Sequence, residues 1–189
     1  MKTLKILLLI IPVTIFLSSC GGDDPMDDPA SMSGLQDEWT AISLDINVTS
    51  TLTLPVGSTE TVTEIIGTDF DYDLTFGESD WTTNGGYTYS AKVSLDDMEL
   101  STSNVPVTGV SGSGNYTTED DQMIIDGSFF EIEENGMTNS SVFEGEQKAT
   151  FEINEDDQLV FTQDETVEQT QQGFTSISRI TSTSIWERK

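Results

Sequence analysis

The chain has no histidine, a single cysteine and only 7 lysines and arginines among 189 residues. Without histidine, serine–histidine and cysteine–histidine catalysis are excluded, as are histidine-ligated zinc and haem. A lone cysteine also rules out an internal disulfide, a thiolate metal cage and a redox pair. The basic residues face 34 acidic ones, for a net charge of −27. Nucleic-acid binding depends on Lys and Arg neutralising phosphates, so no nucleic-acid partner is expected. Cations or a cationic protein partner suit this field, although such charge also simply keeps a protein soluble. No Gly-rich loop with lysine, dinucleotide fingerprint or Gly-x-Ser-x-Gly elbow occurs. Paired acids alone can hydrolyse glycosides. With so many acids, however, a pair carries no information, and the chain reads as a non-enzyme without a cofactor.

Long apolar runs are missing too, except at the start. Lys2 and Lys5 precede an apolar stretch over 6–17, which ends in Leu17-Ser18-Ser19-Cys20. This has the shape of a secretory signal peptide, and the run is shorter than the ~20 residues of a spanning helix. The last four residues resemble the lipobox of bacterial lipoproteins, which implies cleavage after residue 19 and acylation of Cys20. Two or three acyl chains would hold the protein on a membrane durably. Residues 20–33, rich in Gly, Pro and Asp, read as an acidic flexible tether. Acids so close to the cysteine resemble the surface-export signal of Bacteroidetes-type lipoproteins. Outer-membrane attachment with display at the cell surface is expected, and a periplasm-facing domain is the alternative.

Residues 34–189 form one domain built of strands. Ile42, Leu44, Ile46 and Val48 alternate with polar residues, as do Phe70, Tyr72, Leu74 and Phe76. The same pattern recurs in Tyr87, Tyr89, Ala91, Val93 and Leu95, in Phe130 and Ile132, and in Ala149, Phe151 and Ile153. Period-two alternation marks half-buried antiparallel strands. Turns are expected at Asn84-Gly85-Gly86, over 109–115, at Asn135-Gly136, over 154–158 and at Gln172-Gly173. Asp126-Gly127 reads as a tight hairpin between 123–125 and 128–130. Eight to ten short-looped strands make a meander that closes into an up-and-down barrel of about eight strands, with a two-sheet sandwich as the alternative.

Several segments resemble the lipocalin-like domain of small Bacteroidetes-type lipoproteins. Leu35-Gln36-Asp37-Glu38-Trp39 is similar to that family's Leu-x-Gly-x-Trp, with Asp37 in place of the glycine. Gly114-Asn115-Tyr116-Thr117 followed by 123–125, the hairpin over 148–161, and Ile185-Trp186-Glu187-Arg188-Lys189 match its later strands. The resemblance implies an eight-stranded antiparallel barrel with one open mouth.

In such a barrel Trp39 and Trp186 would plug the floor, with Arg179 or Arg188 stacked on a ring. Phe70, Tyr72, Phe76, Tyr87 and Tyr89 would form the core, or line a cavity in an underfilled barrel. Asp69, Asp71 and Asp73 mimic the opening of a calcium loop, but Leu74 and Asp80 stand where glycine and glutamate belong, so no metal site is assigned. The leading functional expectation is a membrane-anchored module holding a small apolar ligand in a dry, aromatic-lined cavity. The alternative is a surface interaction or accessory protein, with a filled barrel and an exposed apolar patch.

Overall fold

A computed structural model describes residues 34–54, 57–134, 137–138, 146–171 and 174–189. Alternation of burial along the chain produces ten strands: β1 (Glu38–Leu54), β2 (Gly57–Phe76), β3 (Asp80–Leu95), β4 (Met98–Glu119), β5 (Gln122–Asp126), β6 (Glu133–Glu134), β7 (Met137–Thr138), β8 (Glu146–Ile153), β9 (Gln158–Gln171) and β10 (Phe174–Arg188). Eight of them close into one barrel in the order β1-β10-β9-β8-β5-β4-β3-β2, every neighbour antiparallel. The expected meander is therefore an up-and-down barrel and not a sandwich. Closure gives every barrel strand a partner on both sides, over only part of their length for β4 and β9.

Short turns of two to four residues close several hairpins at aspartates with left-handed backbone. Asp96 (φ 48°) and Asp97 (φ 66°) join β3 to β4, while Asp120 (φ 55°) and Asp157 (φ 56°) serve the β4–β5 and β8–β9 turns. A short polar side chain tolerates that conformation. In the last of these turns Asn154 Oδ1 accepts from the Asp156 and Gln158 amides at 3.0 and 2.9 Å. Asn135-Gly136, where a reversal was expected, lies outside the described residues, between the antiparallel partners β6 and β7. Residues 172–173 lie outside the described residues.

Three sequence expectations are corrected. Asn84-Gly85-Gly86 is no turn: it lies inside β3, opposite a bulge of β4 whose extra residue is Gly109 (φ 70°). Residues 109–115 are likewise interior to β4. There Gly112 and Gly114 make room for the Trp81 ring, which a Cβ on Gly114 would meet at 2.8 Å. Asp126-Gly127 does not turn a hairpin either. After β5 the chain folds into the barrel, so Phe130 and Ile132 belong to an irregular inward segment rather than a strand. A fourth, smaller departure is Ile42. A register shift between Ala41 and Ser43 turns it outward, 39% exposed, while Leu44 and Ile46 stay buried.

The closed end carries the first residues of β1, the last of β10 and the β2–β3, β4–β5 and β8–β9 turns. From it the long strands β1 to β4, β9 and β10 run past the much shorter β5 and β8. The barrel is thus tall on one side and low on the other.

Candidate functional site

The floor is built from both chain ends. Trp39 and Trp186 are fully buried on adjacent strands. Trp39 Nε1 donates to the Leu35 carbonyl at 3.1 Å, and Trp186 Nε1 to Ser184 Oγ at 3.0 Å. The Arg188 guanidinium lies 4.4 Å from the centroid of the Trp39 ring. Its nitrogens donate to Asp37 Oδ2 at 2.5 Å, the Gly34 carbonyl at 3.2 Å, and both Asp157 oxygens at 3.0 and 3.1 Å. One cation thereby ties the start of the domain, the β8–β9 turn and the end of β10 over a tryptophan face. Asp37, standing where the lipocalin-like pattern has glycine, supplies one of these acceptors. The Arg188 hydrogen bond and the Glu38 amide hold its carboxyl below the usual range. Beside it Lys189 donates to Glu38 Oε1 at 2.6 Å and to Asp73 Oδ2 at 2.8 Å.

Arg179 is not part of this floor. It sits on the outer face of β10, an exposed residue paired with Asp164. The parity of β10 explains the difference, since Trp186 and Arg188 share the inner face whereas Arg179 falls on the other.

Above the floor the interior is filled by aromatic rings. Phe129 and Phe130, from the inward segment after β5, are the centre of the packing. Phe129 meets Phe161 at 5.1 Å, Trp81 at 5.2 Å and Phe76 at 5.7 Å, centroid to centroid. Phe130 meets Trp186 at 5.1 Å, Tyr87 at 5.4 Å and Tyr72 at 5.6 Å. Offset and edge-to-face pairs of this kind add to the burial of the rings.

Two tyrosines hold the backbone of this plug. Tyr72 Oη donates to the Phe129 carbonyl at 2.6 Å, and Tyr87 Oη donates to the Glu131 carbonyl. Burial pushes the Tyr72 hydroxyl up to about 12 and the Tyr87 hydroxyl higher, so both stay neutral donors. Of the candidate cavity-lining residues, Tyr72, Phe76, Tyr87 and Tyr89 are buried. Phe70 is half-buried and stacks on Tyr87 at 6.1 Å, towards the open end.

Among the described residues a half-open pocket of about 60 Å³ reaches the inner side of the barrel, and none of those five residues lines it. Leu44, Ile46, Ile125 and Phe161 form an apolar wall; Gln147, Gln163, Ser182 and Ser184 form a polar one. Gln163 Nε2 donates to Gln147 Oε1 at 2.8 Å, and Ser182 Oγ to Gln163 Oε1 at 3.4 Å. A space of this size and polarity suits a few ordered waters. It is far below the 300–1,000 Å³ range (roughly) of pockets that enclose small-molecule ligands.

The aspartates of the calcium-like run are dispersed. Asp69 sits at a register shift in β2 with φ 52°, and Asp71 is exposed. Asp73 accepts from Thr40 Oγ1 at 2.7 Å and from Lys189. Burial raises its pKa, but these bonds outweigh that and leave it lowered. Among the described residues no group of three or more His, Cys, Asp or Glu side chains could hold a metal ion. Cys20, the expected signal peptide and the expected tether over 20–33 lie outside the described residues.

Sequence reasoning missed the plug and Trp81. The available signals were the adjacent pair Phe129-Phe130, which breaks period-two alternation, and Gly112 and Gly114, spaced so as to vacate one strand face for a ring. Trp81 Nε1 is buried without a hydrogen-bond partner among the described residues. No family model, curated protein or solved structure matches the chain.

Proposed function

We propose that this chain is a lipid-anchored, non-enzymatic lipoprotein with a lipocalin-like barrel that works through its exterior, with its interior filled. The observation that carries this reading is the plug. Phe129 and Phe130 occupy the middle of the barrel and are held there by Tyr72 and Tyr87, where a ligand would otherwise sit. Storage of a small apolar ligand would require both rings to leave against the loss of these contacts. The net charge of −27 steers cationic surfaces to the exterior.

Gly34 lies at the closed floor, so a tether from an acylated Cys20 would join the barrel at that end. Native mass spectrometry of the full chain, released from its own membranes in detergent, tests both parts. The expected species starts at acylated Cys20 and carries no small molecule. A stoichiometric apolar adduct would overturn the exterior reading, and a chain retaining residues 1–19 without acyl mass would overturn the anchor. Cys20→Ala should shift the protein from the membrane to the soluble fraction.

A further inference from the structure

The outer wall near the floor carries an uncharged strip, in a chain with 34 acids. Val160 on β9 stands beside Ile185 on β10, and Ile185 beside Ser43 on β1, where the bulge residue Ile42 is 39% exposed. One row further along, Thr162 stands beside Thr183. Strand parity puts both rows on the outer face, since the residues that alternate with them, Leu159, Phe161, Ser184 and Trp186, are buried.

Both ends of the strip are acidic. At β8 the first row runs into Glu152, the partner of Val160. The β4–β5 turn is held against β8 there by the Phe151 amide, which donates to the Asp121 carbonyl at 2.8 Å. Turn and strands enclose a half-open hollow of about 220 Å³, lined by Asp121, Thr150, Phe151, Glu152, Val160 and Thr162. At β1 the second row ends on Asp45, beside Thr183. Asp45, Asp121 and Glu152 are exposed, and none of their carboxylates has a partner among the described residues. Bases on this face enter only in the rows beyond, at Lys148 and Arg179.

We infer that this strip is a docking site for a basic segment of a partner protein, with aliphatic residues over Val160, Ile185 and Ile42 and a lysine or arginine in the hollow beside Asp121 and Glu152. This deepens the exterior reading above, on which it rests, by naming the place of contact and the chemistry of the partner. Charge selects the occupant. A second copy would set the same unpaired carboxylates against each other, and an anionic membrane surface would be repelled likewise. A neutral apolar segment would desolvate those carboxylates with nothing in return. A basic segment covers the apolar centre and pairs the acids at each end. The hollow has room for one long basic side chain, its methylenes on Val160 and its charge at the carboxylates. From β8 to β1 is three strand spacings, about 14 Å, so a second base four extended residues away reaches Asp45. So small a contact binds weakly, and salt loosens it.

The test uses the full chain in an uncharged detergent and the synthetic peptide Lys-Lys-Leu-Val-Leu-Lys-Lys, with binding followed by fluorescence anisotropy. Asp121→Asn plus Glu152→Gln should weaken binding about tenfold, and Ile42→Ser plus Ile185→Ser by a similar factor, with circular dichroism unchanged. Glu99→Gln plus Glu168→Gln, exposed acids toward the open end, removes the same charge and should change binding less than about twofold. A peptide with serines in place of its three aliphatic residues should bind about tenfold more weakly. On the unmodified chain, a photoreactive leucine at the centre of the peptide should label residues within 158–162 or 183–187. No binding, equal loss in the two acid pairs, equal binding of the serine peptide, or labelling elsewhere on the barrel would overturn the inference. A copurifying apolar ligand would end the exterior reading without altering any of these results, so the two failures are distinguishable.

Discussion

Replacing Phe130 with alanine removes a ring that touches Trp186, Tyr87 and Tyr72 and also borders the half-open pocket. Truncating a buried phenylalanine costs about 3–5 kcal/mol through lost transfer energy and the void left behind. A domain of this size has ~5–15 kcal/mol of stability, so the variant should remain folded. With a urea dependence of about 2 kcal/mol per molar, the unfolding midpoint should fall by ~1.5–2.5 M. The void joins the existing pocket of about 60 Å³ on its apolar side. An apolar cavity of ~150 Å³ is enough to bind benzene or xenon. Phe130→Ala should therefore gain a benzene-dependent rise in melting temperature that the parent protein lacks. The assays are urea titration followed by tryptophan fluorescence and thermal melts with and without benzene. A midpoint change under ~0.5 M would mean that Phe130 carries little packing. A benzene response of equal size in the parent would mean that its interior is already open. Either result refutes the plug.

Alkaline pH should destabilise the fold through Tyr72 and Tyr87. Burial raises both hydroxyls, Tyr72 to about 12, so the unfolded chain loses its protons first, near pH ~10. Stability is then full below pH ~10 and falls by about 1.4 kcal/mol per pH unit for each tyrosine up to pH ~12. Urea midpoints between those limits should slope downward and flatten in the Tyr72→Phe, Tyr87→Phe double variant; a flat parent curve contradicts the burial. At the floor, Arg188→Ala should cost about 1–3 kcal/mol by loss of its stacking and charge-assisted bonds, with Arg188→Lys restoring little of it. Arg179→Ala, which removes an exposed pair, should leave the same titration nearly unchanged, and equal losses at the two sites would remove the distinction between them. Gly114→Ala places a Cβ 2.2 Å from the Asp126 carbonyl and 2.8 Å from Trp81 Nε1, so about 1–3 kcal/mol should be lost in a denaturant titration. A neutral outcome would show that this wall is not tight.

The architecture was largely legible, because alternation shows which face of a strand is wet regardless of what covers the other. The strands around Leu44, Leu74, Tyr89 and Phe151 lie where their periodicity puts them. Glycine misled, since the same residue serves turns, bulges and close packing. Gly109 is the extra residue of a bulge opposite Gly85 and Gly86, while Gly112 and Gly114 lie under a ring. Asp126-Gly127 has the composition of a tight hairpin, but the two phenylalanines beyond it gain more by entering the barrel than a strand there could offer.

Trp39 and Trp186 were readable as floor residues from their size and position near strand ends. The choice between Arg179 and Arg188 was also available from strand parity alone. Asp37 could not be read in this way. Its replacement of glycine counts as a defect in the local pattern, and only the tertiary approach of Arg188 makes it an acceptor.

Nuclear Overhauser contacts between aromatic protons report the interior most directly. The Phe130 and Trp186 rings, 5.1 Å apart between centroids, and the Phe129 and Phe161 rings, also at 5.1 Å, should give strong cross-peaks in the ligand-free protein. Solvent-exposed Phe129 and Phe130 without those cross-peaks, in a chain that is still folded, would contradict a filled barrel.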